Sequence, residues 1–265
     1  MTALSVATWN INSVRLRAPL VERLLREKAP DVLCLQETKC PDPAFPHAPF
    51  EALGYRHRAI RGEKGYNGLA VLSKRPIEPL DHRDFCVRGD CRHMAVRVDG
   101  IAIHNLYVPA GGDVPDPVAN PKFAHKLAFL DEMASWFAPG GGAPEGPSIL
   151  VGDLNVAPGE QDVWSHRQLL RIVSHTPVET AKLDVVRAAG GWIDAARRFV
   201  PEDEKLYSWW SYRAKDWAAS DKGRRLDHVW VSPDLGERLV ACETLKEARG
   251  WPQPSDHAPV IATLG

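Results

Sequence analysis

Acids and amides stand just after β-like runs at five places in this sequence. Asn10 follows SVATW, Glu37 follows DVLCLQ, Asp153 and Asn155 follow SILVG, Asp227 lies in RRLDHVWV, and Asp256 with His257 precedes APVIAT. Side chains at strand ends can converge on one rim of a sheet while the core holds them rigid. Singly, each has a plain structural reading, such as a turn, a sheet-edge cap or a surface ion pair. Together they make a chemical inventory. A carboxylate from Glu37, joined by Asp256, is a hard oxygen donor suited to Mg²⁺ or Mn²⁺. A His beside an Asp is held in one tautomer and can stabilise charge. An Asp with an Asn can position an attacking water. That set suits hydrolysis of a phosphoester. The chain carries no G-x-S-x-G elbow, no G-x-x-x-x-G-K-[ST] loop and no well-placed G-x-G-x-x-G. Acyl transfer, P-loop ATP hydrolysis and Rossmann redox chemistry lose support accordingly.

The elements that must carry these groups are legible in outline. LSVATWNI and DVLCLQE read as strands around a helical RLRAPLVERLLREKAP, with Leu16, Leu20, Leu24 and Leu25 at helical spacing and Pro30 at its end. GLAVLSK, HMAVRVDG and IAIHNLYV are further strands, the last two joined across Asp99-Gly100, a strong hairpin signal. PKFAHKLAFLDEMASWF is predicted helical, with Phe123, Leu127, Leu130 and Met133 on one face. PSILVGDLN, LVACETL and APVIATLG complete the strands. The Pro/Gly-rich stretch 138–147 is read as a loop inside an α/β layer rather than a domain boundary.

Composition bounds the rest. The chain has 265 residues, 44% hydrophobic and 25% charged, and a formal net charge of −1. Those values exclude a disordered chain, a collagen and a coiled coil, and the overall balance predicts no polyanion partner. No apolar run is long enough to span a membrane. MTALSVATWNINSVR does not read as a secretory signal, and five cysteines suggest no disulfide framework. The expectation is a reducing cytoplasm. Cys86, Cys91 and His93 hint at zinc but lack a second pair to complete a tetrahedral set.

WNINSVR, LCLQETK, KGYNGLAVLSK, NLYVPAG, GDLNVAP, YSWWSYRAK, RRLDHVWVS and PSDHAPV occur in the order seen in the exonuclease III family, which this chain resembles from about residue 4 to residue 264. These are bacterial AP endonucleases of the endonuclease/exonuclease/phosphatase superfamily. The resemblance implies one DNase-I-like domain over residues 1–265: a four-layer α/β sandwich, two mixed sheets face to face with helices outside. It implies that Glu37 is a metal ligand, with Asp256 on the metal side and Asn10 near metal and phosphate. It implies that Tyr107 touches the scissile phosphate, that Asp153 and Asn155 position and activate water, and that Asp227 orients His257. Asp153 is favoured as general base and His257 as the phosphate-stabilising group, although either side chain could take the proton. Ala110 stands where relatives often carry Asn or Gln, and Asn12 where some relatives have Asp. The segment 159–178 looks like an insertion of one bacterial branch, a DNA-side loop at most.

Trp209, Trp210, Tyr212 and Trp217 crowd one segment, interleaved with Arg213, Lys215, Lys222, Arg224 and Arg225. Over 209–225 five basic residues face two acidic ones. Aromatic faces beside cations suit a disturbed nucleic-acid strand; the alternative is that the tryptophans are core. The resemblance implies a pocket for a flipped abasic sugar walled by Trp209 or Trp210, with strand contacts from Lys64, Tyr66, Asn67 and Arg92. The implied partner is double-stranded DNA with abasic sites or blocked 3′ ends, handled by a monomer that is nucleoid-associated during repair. The implied activities are incision 5′ to abasic sites, 3′-phosphatase or 3′-phosphodiesterase cleaning, and 3′→5′ exonuclease.

Overall fold

The structure is a computed structural model that describes residues 3–265. Its strands are β1 (Leu4–Asn10), β2 (Val32–Gln36), β3 (His57–Arg61), β4 (Leu69–Ser73), β5 (Glu78–Leu80), β6 (His93–Val98), β7 (Ile101–Tyr107), β8 (Ser148–Asp153), β9 (Ile193–Asp194), β10 (Trp209–Trp210), β11 (Gly223–Arg224), β12 (Asp227–Val231), β13 (Leu239–Thr244) and β14 (Val260–Leu264). The helices are α1 (Val14–Glu27), α2 (His47–Glu51), α3 (Pro121–Phe137), α4 (His166–Leu169), α5 (Pro177–Ala189) and α6 (Trp217–Ser220). Among the described residues no helix is long and apolar enough to cross a membrane.

Two six-stranded sheets form, in the orders β13-β14-β1-β2-β4-β3 and β5-β6-β7-β8-β12-β9. Each is mixed, with one parallel pair near its middle: β1 with β2, and β7 with β8. The layers follow from strand periodicity. Val6, Val32, Cys34, Val71, Val96, Ile103, Val151, Val229 and Ala262 point inward and make one core between the sheets. The alternate residues Ala7, Trp9, Leu33 and Leu35 point outward onto Val21, Leu24 and Leu25 of α1. Leu106, Leu150 and Trp230 point outward on the other side, onto Phe129, Leu130 and Met133 of α3 and Leu183 and Val186 of α5. The result is the expected helix–sheet–sheet–helix sandwich, with the central strands β2, β4, β7, β8 and β12 buried throughout and mostly apolar, and the edge strands β3, β5 and β13 partly exposed.

Local chemistry sets the joints. Asp99 and Gly100 take positive φ of 49° and 80° and close the β6–β7 hairpin. Asn120 caps α3 by accepting from the Lys122 amide, with Pro121 at the first helical position. The 138–147 stretch is a loop joining α3 to β8. The structure adds elements that the sequence does not announce: α2, α4, α5 and α6, and the short or edge strands β3, β5, β9, β10 and β11. The segment 159–178 is not simply an external loop, because Val163 and Leu169 belong to a small core with Ala157 and Leu226. Leu16, expected on the apolar face of α1, is exposed, because the inward face begins at Val14 and continues through Val21. All five cysteines are free thiols.

Candidate active site

The same inward parity that builds the core ends in chemistry. On β1 the inward series Val6, Thr8 terminates at Asn10; on β7 Ile103, Asn105 terminates at Tyr107; on β8 Ile149, Val151 terminates at Asp153. β12 runs antiparallel to β8 and pairs Asp227 with Asp153, so it delivers its first inward residue to the same rim. His257 lies just before β14, which runs antiparallel to β1. Glu37 is the residue after β2 and takes φ of 49°, a left-handed turn that re-aims its carboxylate. Beneath the rim, Gln36 Nε2 donates to Thr8 Oγ1 at 2.9 Å and to Asn105 Oδ1 at 2.7 Å, tying the sheets together.

One connected network results. Tyr107 Oη donates to Glu37 Oε1 at 2.9 Å, and Asn10 Nδ2 donates to Glu37 Oε1 at 2.8 Å and to Asp153 Oδ2 at 2.9 Å. Asn155, at φ 53°, donates its backbone amide to Asp153 Oδ1 at 2.9 Å and its Nδ2 to Val108 O at 2.9 Å. His257 Nε2 lies 3.7 Å from Asp153 Oδ2, while its Nδ1 donates to Asp227 Oδ2 at 2.8 Å. Ser208 Oγ donates to that same Asp227 oxygen at 2.7 Å and accepts the Asp227 amide at 2.9 Å. Asp256 accepts Asn12 Nδ2 at 3.2 Å and Trp209 Nε1 at 3.0 Å. Glu37 after β2, Tyr107 and Asp153 at the ends of β7 and β8, and Asp256 and His257 before β14, far apart in sequence, thus line one cleft of about 250 Å³, with Trp209, Ser174 and Arg224 on its walls.

Electrostatics separate the roles. Burial alone would push His257 down, but the Asp227 and Asp153 carboxylates raise it to about 10, so it is an imidazolium at neutral pH. Asp153 is raised, chiefly by burial, against the opposing pull of His257 and of the Asn10 hydrogen bond. Glu37 and Asp256 are half-buried, which works against ionisation, yet both are held below the usual carboxylate range. For Glu37 the largest opposing cause is the charge of Lys39; for Asp256 it is His257. The site therefore sets a carboxylate with raised proton affinity beside two that stay ionised, a division of labour typical of acid–base sites.

Two residues escaped the sequence reading. Lys39 Nζ lies 2.7 Å from Glu37 Oε2 and donates to Asn12 Oδ1 at 2.6 Å, linking Glu37 through Asn12 to Asp256. The signal was its place two residues after Glu37 in LQETK. Ser208, in YSWW, has no signal of its own. Asn12 supplies a bridging amide, its Oδ1 accepting from Lys39 and its Nδ2 donating to Asp256.

Several expected DNA contacts are placed otherwise. Asn67 is buried and spends its Nδ2 on Glu63 and Asp90 O, so it shapes its loop instead of facing a strand. Arg92 is buried too. Its guanidinium meets Asp90 at 2.7 Å and Tyr107 O at 3.2 Å and lies over the Tyr107 ring, which commits it to the protein. Trp210 is core, packed on Tyr207 and Trp217 with its Nε1 donating to Asp221, which leaves Trp209 as the wall of the cleft. Arg224 lines the cleft while held by Val173 O and Ser174 Oγ and stacked on Trp209. Lys64, Tyr66, Arg213 and Lys215 are exposed.

The Endonuclease/Exonuclease/phosphatase family matches residues 7–257. The chain is 30% identical to exodeoxyribonuclease III of Haemophilus influenzae, covering 96% of this chain and 97% of that one. An AP endonuclease from Archaeoglobus fulgidus superposes with a TM-score of 0.88 at 31% identity, covering 98% of this chain and 99% of that one. The 3′ phosphatase NExo from Neisseria, bound to a product DNA hairpin, superposes with a TM-score of 0.89 at 29% identity over 99% of each chain.

Proposed function

The chain belongs to the endonuclease/exonuclease/phosphatase family and is a DNA repair nuclease, and we propose that it hydrolyses DNA phosphodiesters with Mg²⁺ or Mn²⁺. Its proposed substrates are duplexes carrying abasic sites or blocked 3′ ends, which it incises 5′ to the lesion, cleans at the 3′ end, or degrades 3′→5′. The observation that carries this reading is the unbroken hydrogen-bond path from Tyr107 through Glu37, Asn10 and Asp153, closed by the His257–Asp227 pair.

The donor set fits a hard divalent cation. Glu37 and Asp256 are ionised oxygen donors in the cleft, and Lys39 already holds positive charge against Glu37. Glu37 and Asp256 are the proposed ligands. The ligand atoms of Asp153, Asp227 and His257 also lie within 4.8 Å of one another. The ion would supply Lewis-acid stabilisation of phosphate charge. The protein's own groups do the rest. Asp153, fixed by Asn10 and the Asn155 amide, accepts a proton from the attacking water. The His257 imidazolium, oriented by Asp227, and the Tyr107 phenol face charge that develops on the phosphate oxygens. Trp209 walls the pocket for the deoxyribose, and a sugar without its base costs least to extrude.

The test is direct. Purified protein with a labelled abasic duplex should yield the 5′ incision product with Mg²⁺ and none with EDTA. Equal turnover of a soluble phosphomonoester and no incision would overturn the reading.

A further inference from the structure

Beneath the cleft floor lies an ion pair that the reaction as described does not use. Lys126, on α3, and Glu179, on α5, are both fully excluded from solvent and in direct contact. Lys126 Nζ also donates to Asn155 O at 2.7 Å and to Ala110 O at 3.4 Å. Glu179 accepts the Ser174 amide at 2.9 Å and 3.0 Å, the Thr176 amide at 3.1 Å and the Thr176 hydroxyl at 2.6 Å. Ser174 returns its carbonyl to the Ala157 amide at 2.8 Å and its hydroxyl to Arg224 at 2.8 Å. Two charges therefore hold the loops after β7 and β8, the 173–176 segment and, through it, Arg224. Packing leaves no slack: a Cβ on Gly111 would lie 2.9 Å from Lys126 Cδ.

A buried ion pair is a poor source of net stability, because desolvation offsets its attraction, and an apolar pair of similar volume often serves as well. What apolar residues cannot do is donate to the Asn155 carbonyl or gather the Ser174 and Thr176 amides. Asn155 is held at positive φ, so its side chain and amide reach Asp153 only while that loop keeps its shape.

We propose that Lys126 and Glu179 are positioning residues for phosphodiester cleavage, which set Asn155 against Asp153 and Arg224 against Trp209 through the 173–176 segment. The 173–176 part of the 159–178 segment thereby holds the cleft in shape. It rests on the nuclease reading above, and its test separates the two.

The informative variant is the double exchange Lys126→Met with Glu179→Leu, compared with wild type for thermal midpoint, for Kd on an abasic duplex in EDTA, and for single-turnover cleavage in Mg²⁺. The expected result is a midpoint close to wild type, a Kd within about threefold, and cleavage slower by about a hundredfold, as displacement of a reacting group from its geometry produces. A folded double variant that cleaves at the wild-type rate overturns the proposal. Should the double variant not fold, Thr176→Val decides, since it deletes one donor to Glu179 and leaves the pair buried. Slower cleavage by about fivefold at unchanged Kd supports the positioning role, and unchanged cleavage overturns it. Wild type that cuts no abasic duplex refutes the nuclease reading instead.

Discussion

At the scale of the residue, the site turns on one carboxylate whose proton affinity differs from that of its neighbours. Asp153 can serve as a base only when ionised, and burial raises its pKa to about 7. The sign follows: cleavage rises as pH climbs through about 7 and Asp153 loses its proton, then falls as His257 loses its own near 10. Asn10 lowers Asp153 through its donated hydrogen bond, so Asn10→Ala should move the acid limb of kcat/KM to higher pH. A limb that stays in place would show that another group controls it. Asp153→Asn should cut kcat by about 10²–10⁴-fold while leaving abasic-DNA Kd nearly unchanged, because general-base catalysis supplies about that much. Residues of this kind were legible because strand period two forces them onto one face. Glu37 sits off that parity, and only its left-handed backbone brings it in, a feature no residue type announces.

At the scale of the element, β7 and β8 must run side by side so that Tyr107 and Asp153 end together. Gly152 makes that possible. At φ 142° it sits where a Cβ would fall 1.9 Å from Leu106 O. Gly152→Ala should therefore cost about 2–4 kcal/mol, from combined backbone strain and overpacking, read by denaturant unfolding with an unchanged m value. A loss under about 1 kcal/mol would show that the sheet absorbs the methyl group. The elements themselves divide by how much local signal they carry. α3 announces itself through its apolar face and its Asn-Pro start. α5 carries a comparable signal, Thr176-Pro177 followed by Glu179, the residues of a capping box. That signal is masked because the residues before it, 159–175, carry no clear strand or helix period. The two-residue β10 shows the opposite limit. Trp209 and Trp210 are chemically identical, and only the pleat decides which faces the cleft and which the core.

At the scale of the whole molecule, a chain of net charge −1 must attract a polyanion with local charge. The structure sorts the cations near the cleft into two kinds. Arg92 and Arg224 are tied to protein partners, whereas Arg213 and Lys215 are exposed on a loop whose Tyr212 hydroxyl donates to Pro254 O, two residues from Asp256. This sorting was not legible in the sequence, where all four are basic residues near aromatics; burial depends on which loop packs above, and that is a tertiary fact. Each phosphate neutralised by a free cation releases condensed counterions, so log K falls with log salt by about 0.9 per contact. The double variant Arg213→Ala with Lys215→Ala should weaken duplex binding at low salt and flatten that slope by about 1 to 2 units, with Tm and single-turnover cleavage at saturating DNA unchanged. Arg92→Met should do the reverse. It strips the guanidinium from the Tyr107 ring and carbonyl, so Tm and cleavage fall while the salt slope stays near wild type. Binding measured from about 50 mM to about 200 mM salt separates the two outcomes. If Arg92→Met flattened the slope and the loop variant did not, the phosphate-binding surface would lie on the β6–β7 side of the cleft and not on the loop beside Trp209.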